Sequence, residues 1–67
     1  MTNYQYLLEL LKSALRGQQA PELPEECSFE KVLALAKRHS AAGMAYYAAE
    51  TLNSPPTGEL AAEWRQI

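Results

Sequence analysis

No stretch of this chain has the makings of a β-strand. The β-branched residues Thr2, Val32, Thr51, Thr57 and Ile67 are scattered, so no window of roughly five or six residues alternates in the way a pleated, half-buried strand requires. Ala and Leu, the strongest helix formers, dominate instead. The expected fold class is therefore all-α, and the question becomes how many helices the chain makes and what they bury.

Four segments carry helical signals. In the first, over about 4–16, Tyr4, Leu8, Leu11 and Leu15 recur at helical spacing, Leu7 and Ala14 widen the stripe, and Leu10 falls outside it. Thr2 with Gln5 reads as a capping box, and Gly17 stands where a glycine closes a helix. Pro21 and Pro24 make 17–28 a linker, anchored by Leu23. Ser28 then caps a second helix over about 29–39, with Glu30 in its first turn and Lys37, Arg38 and His39 in its last, each complementing the helix dipole.

After a break at Ser40–Gly43, a third helix is expected over about 42–52, with Met44, Tyr47, Ala48 and Leu52 on one face. Its many alanines suit a buried element that neighbours approach closely. A linker at 53–56 containing Pro55 and Pro56 precedes a fourth helix over about 57–67, with Leu60, Trp64 and Ile67 in line. That helix carries no stop signal, so the expectation is that these 67 residues are an N-terminal part of a longer protein. The expected packing set is Leu8, Leu11, Val32, Leu33, Tyr47, Leu60 and Trp64.

Size and charge narrow the function. A chain of 67 residues buries only about 60% of the surface its unfolded form exposes, too little for a two-layer enzyme with its own substrate pocket. A formal net charge of −2 gives no overall basic excess to draw it to nucleic acid or anionic lipid. The longest uncharged run, His39 to Ala49, is far short of the ~20 apolar residues of a membrane span. The N-terminus lacks the basic region of a signal peptide, and a lone cysteine suits a reducing compartment, so a cytoplasmic location is expected.

The residues capable of chemistry read as structural. All eight acidic residues are Glu, and one Cys and one His fall short of the four ligands of a structural zinc. His39 reads as a helix C-terminal residue facing free carbonyls. Cys27 reads as a small hydrophobe packed against Val32. The pairs Glu25 with Glu26 and Glu59 with Glu63 read as solvated surface, and Trp64, Tyr46 and Tyr47 as helix contacts. The segment from Phe29 to Leu52 has the outline of a helix-turn-helix. Its second helix, however, holds only Glu50 as a charged residue, with no Lys or Arg to reach phosphate or base edges. No catalytic, cofactor-binding or metal-binding residue is assigned.

Three segments together resemble a known family: Leu7-Leu8-x-Leu10-Leu11-x-x-Ala14-Leu15-x-Gly17, then Phe29-Glu30-x-x-Leu33-x-Leu35-Ala36-x-Arg38-His39, then an Ala-rich helix with Tyr46. This order, continued by Pro55-Pro56 and the segment from Leu60, resembles the N-terminal helical part of a nucleotidyltransferase-like family of bacteria. Members of that family carry a β-branched residue and a proline after the His, where this chain has Ala41 and Gly43. The resemblance implies a downstream domain in which a Gly-Ser turn and spaced aspartates hold a divalent metal against a nucleoside triphosphate. Neither a Gly-Ser pair nor any Asp occurs in residues 1–67, so none of those roles transfers. The chain is then expected to be a non-catalytic helical lead-in whose partner is that domain of the same polypeptide. The alternative expectation is a stand-alone interaction module or homodimer, and the third reading is a helix-turn-helix DNA binder, with Lys37 and Arg38 ahead of its second helix.

Overall fold

The capping signals at both ends of the first helix and at the start of the second are met, and the end of the second departs from them. The computed structural model describes residues 1–53 and 55–65 and contains the helices α1 (Asn3–Arg16), α2 (Phe29–Arg38), α3 (Ala42–Ala49) and α4 (Gly58–Arg65). Among the described residues there is no strand, and no helix is long and apolar enough to cross a membrane. At the start of α1 the capping box is complete: the Gln5 amide donates to Thr2 Oγ1 at 3.0 Å, and the Thr2 amide donates to Gln5 Oε1 at 2.8 Å. Gly17, at φ 67°, closes α1 in the left-handed conformation. Ser28 caps α2 by accepting from the Lys31 amide at 3.4 Å, and its own amide donates to Asn3 Oδ1 at 2.9 Å, which ties the starts of α1 and α2 together.

The exception is the end of α2. Ser40 donates its amide to the Lys37 carbonyl at 3.1 Å and Ala41 donates to Ala36 at 2.8 Å, the paired bonds that terminate a helix through a left-handed residue. Ser40 takes that place at φ 54°, where a glycine is the comfortable occupant. The break between α2 and α3 is thus His39–Ala41, and Gly43, expected in the turn, lies inside α3.

α3 ends at Ala49, earlier than the expected Leu52. Thr51 explains the stop: its amide and its hydroxyl both donate to the Ala48 carbonyl, at 3.1 and 2.7 Å, tightening the chain into i→i−3 bonds. Leu52 stays buried in the turn that follows. The expected α4 position Ile67 lies outside the described residues.

Packing corrects the faces of two helices. In α1 the buried side chains are Tyr6, Leu7, Leu10 and Ser13, whereas Tyr4, Leu8 and Leu15, read from the sequence as core, face outward at 46%, 39% and 74% exposure. α1 carries two overlapping apolar arcs, with Leu7, Leu11 and Ala14 near their boundary. Counting periodicity without Tyr6 and Leu10 selects the wrong one. In α3 the buried residues are Ala42, Ala45, Ala48 and Ala49, while Met44 and Tyr47 face out. Methyl side chains let α1 and α3 approach closely, and a tyrosine at that contact would hold them apart. Of the expected packing set, Val32, Leu33 and Trp64 are buried, Leu11 and Leu60 are half-buried against the core, and Leu8 and Tyr47 are exposed.

α1 packs on α2 and α3, and α3 packs on α2 and α4. A row of aromatic rings runs through the bundle: Tyr6 to Phe29 at 6.4 Å, Phe29 to Trp64 at 6.1 Å, Trp64 to Tyr46 at 5.9 Å between centroids. Trp64 Nε1 donates to the Ala42 carbonyl at 2.8 Å, joining α4 to the first turn of α3. The chain exposes 4318 Å², close to the ~4,250 Å² of a folded monomer of its mass, so these helices bury a normal share of their surface.

Two substitutions test this account. Ser40→Gly relieves the left-handed strain and raises the unfolding free energy by about 0.5–1 kcal/mol in urea titrations followed by Trp64 emission. A lower midpoint would refute the strain. Trp64→Phe removes the Nε1 hydrogen bond and part of the indole volume, and lowers stability by about 2–3 kcal/mol, read by circular dichroism.

Candidate interaction surface

The side chains able to do chemistry are held apart. His39 is the C-terminal cap of α2, its amide donating to Leu35 at 3.1 Å, and its ring lies 5.6 Å from that of Tyr4. Cys27 is buried in the same cluster as Val32, and its Sγ donates to the Met1 carbonyl at 3.4 Å. Glu26 pairs with the Met1 ammonium at 3.3 Å. Backbone hydrogen bonding first, then that ammonium, holds its carboxyl below the usual carboxylate range. Glu63 faces Lys37 across α4 and α2 at 2.6 Å. Trp64 and Tyr46 belong to the aromatic row, while Tyr47 points outward.

No enclosed site links these groups. Among the described residues, no three His, Cys, Asp or Glu side chains cluster as metal ligands would. A cleft of about 180 Å³ opens at the end of α1, lined by Ser13, Ala14, Gly17, Gln19, Tyr47 and Thr51 among others. It falls below the ~300–1,000 Å³ of ligand pockets. A depression of about 350 Å³ lies beside Met1, Gln5, Leu8, Glu9 and Lys12. Four of those five residues sit on α1 itself, so it has no opposing wall. In the α2–turn–α3 pair, α3 presents Gly43, Met44 and Tyr47 to solvent and no cationic side chain.

What stands out is the outer face of α1. Tyr4, Leu8 and Leu15 are exposed there with half-buried Leu11 in line between them, a four-three-four spacing along one side of the helix. Beside this stripe runs a polar edge of Gln5, Glu9, Lys12 and Arg16, in which Lys12 and Glu9 pair at 3.3 Å. Met44 and Tyr47 add exposed apolar surface on α3, which packs directly on α1. The sequence showed the stripe but read it as core. The surviving signal of its true place was that α1 has more apolar residues than one face accommodates.

The opposite face of α1 carries the strongest electrostatic perturbation. The Tyr6 hydroxyl donates to the Pro21 carbonyl at 2.8 Å, which staples the 17–28 linker to the helix. Burial, followed by the nearby Glu22 and Cys27, pushes its pKa from 10.0 up to about 12. The folded state thus favours the neutral phenol more than the unfolded chain does. Stability is unaffected by this titration below pH 10 and falls as the pH rises from there through about 12. Tyr6→Phe is expected to cost about 1 kcal/mol at neutral pH and to flatten the alkaline loss of stability between those limits, measured by urea midpoints across pH. An unchanged alkaline profile would show that Tyr6 does not govern it.

Comparison with protein-family profiles, with curated proteins and with solved structures finds no match to this chain. Its functional reading therefore rests on the arrangement of its own residues.

Proposed function

We propose that this chain is a non-catalytic helical interaction module whose contact face is the outer stripe of α1. The observation that carries the reading is Leu15 at 74% exposure in line with exposed Leu8 and Tyr4, on a helix whose opposite face is already fully packed. A contiguous run of large apolar side chains left in water marks a protein contact, whereas scattered ones need no explanation. The dispersal of His39, Cys27 and the glutamates supports a role in packing.

Two protein surfaces suit this stripe. One is the nucleotidyltransferase-like domain that the resemblance implies on the same polypeptide, which would supply the divalent metal, the nucleoside triphosphate and the chemistry. On that reading the chain supports a bacterial enzyme from outside its active site. The other is a second copy of the chain, favoured by the regular spacing of the stripe. We assign the module to the cytoplasm, where a single buried thiol such as Cys27 stays reduced.

The double substitution Leu8→Glu with Leu15→Glu tests the reading. Because neither side chain contributes to the core, the variant is expected to keep its Trp64 emission and to melt within about 1 kcal/mol of the parent. It is also expected to lose any binding of a hydrophobic dye by the parent. Collapse of the fold would make the stripe part of the core and end the proposal.

A further inference from the structure

One buried polar side chain on the packed face of α1 adds nothing to the fold that alanine would not. Ser13 is 8% exposed, yet its hydroxyl donates to the Glu9 carbonyl of its own helix, at 2.9 Å. That bond joins no two elements, and a serine bonded back to the preceding turn slightly weakens a helix that alanine would strengthen. Ser13 does line the cleft at the end of α1, between that helix and α3. We infer that this cleft binds a primary alkylammonium group, a site separate from the outer stripe of α1 and independent of how that stripe is read.

The side chains held in place around the cleft offer acceptors, because their donors are already used. The Thr51 hydroxyl donates to the Ala48 carbonyl at 2.7 Å, as Ser13 does to Glu9, and each hydroxyl oxygen keeps its lone pairs. Gln19 donates its amide nitrogen to the Thr51 carbonyl at 3.1 Å, which fixes the amide's orientation and leaves Oε1 to accept. The end of the helix adds to this set. The Gly17 and Gln18 amides both donate to the Ser13 carbonyl, so the Ala14 carbonyl, next in line, receives no amide from the following turn. Acceptors at the negative end of the α1 dipole call for a donor that carries positive charge. Among the described residues no Lys, Arg, Asp or Glu lines the cleft, so its wall does not already supply one. Arg16, the last residue of α1, is exposed and stands outside the lining.

Size and shape narrow the cation. A cleft of about 180 Å³ takes a small group and excludes a drug-sized ligand. An ammonium brings three donors to the three oriented acceptors Ser13 Oγ, Gln19 Oε1 and Thr51 Oγ1. A guanidinium is a rigid planar fork suited to the paired oxygens of a carboxylate, which the cleft lacks. Tyr47, 66% exposed, adds an aromatic face for the charge, and Ala14 and Ala48 border the alkyl stem. With so few atoms in contact the dissociation constant is about 1–10 mM.

Titration of the isotope-labelled full chain with n-butylamine hydrochloride at neutral pH, followed by backbone amide chemical shifts against a sodium chloride reference, tests the inference. The expected result is a saturable shift at Gly17, Gln19, Tyr47 and Thr51 by about 50 mM. n-Butanol, which lacks the charge, and tetramethylammonium, which lacks the donors, are each expected to bind about tenfold more weakly or not at all. Ser13→Ala is expected to weaken butylamine about fivefold while its thermal midpoint stays level or rises, a combination that a packing role would not produce. Tyr47→Ala is expected to weaken it about threefold, with circular dichroism confirming the fold. Nα-acetyl-lysine methylamide distinguishes the sources of the group: affinity equal to that of butylamine assigns the cleft to a lysine of a partner protein, and affinity about tenfold lower assigns it to a free amine. The absence of a saturable shift overturns the inference, as does equal binding by n-butanol or tetramethylammonium, or undiminished binding by Ser13→Ala.

Discussion

The bundle turns on Trp64. Its indole is fully buried, its Nε1 donates to the Ala42 carbonyl, and its ring touches Phe29 on one side and Tyr46 on the other. One side chain from the last helix thereby meets the start of α2, the body of α3 and the first turn of α3 at once. Phe29 passes the contact on to Tyr6 and so to α1 and the proline linker. A small domain has few large side chains to bury, and placing the largest where three helices converge gives each a shared wall. Two polar groups in that row find backbone acceptors: the Trp64 indole donates to Ala42 and the Tyr6 phenol to Pro21. Among the described residues no buried side-chain polar atom lacks a partner.

The alanines of α3 are the complement of that arrangement. With Ala42, Ala45, Ala48 and Ala49 turned inward, α3 acts as a thin slat between α1 and the aromatic row, and Met44 and Tyr47 are left to the outside. The same closeness commits α1 to bury Leu7, Leu10 and Ser13, and so leaves Tyr4, Leu8 and Leu15 in water. The exposed stripe is thus a consequence of how the core was filled. The features that form the candidate interaction surface and those that stabilise the fold are two sides of one helix.

Local chemistry was legible from the residues. Thr2 with Gln5, Gly17 and Ser28 marked helix ends because capping is decided within a few residues of backbone, and the structure places those caps where the side chains call for them. That the described residues form no strand followed in the same way from the thin scatter of β-branched residues. Where local signals misled, the neighbour that mattered was distant or of an unexpected type. Gly43 was the natural choice for the turn, yet Ser40 takes the left-handed position because the paired bonds to Lys37 and Ala36 hold it there. Leu52 looked like one more turn of helix, yet Thr51 folds back on Ala48 first.

By itself, then, the sequence determined the all-α class, four helical segments and the caps of α1 and of the start of α2, because those depend on interactions between residues close in the chain. Only the tertiary structure decided which face of α1 and of α3 turns inward. A helix with apolar residues over more than one face has two acceptable stripes, and periodicity alone ranks them by regularity. The choice fell to side-chain volume across helices: methyl groups where α3 meets α1, one indole where α4 meets the rest, and a phenol long enough to reach the linker at Pro21. What the sequence offered as a core stripe became a surface one.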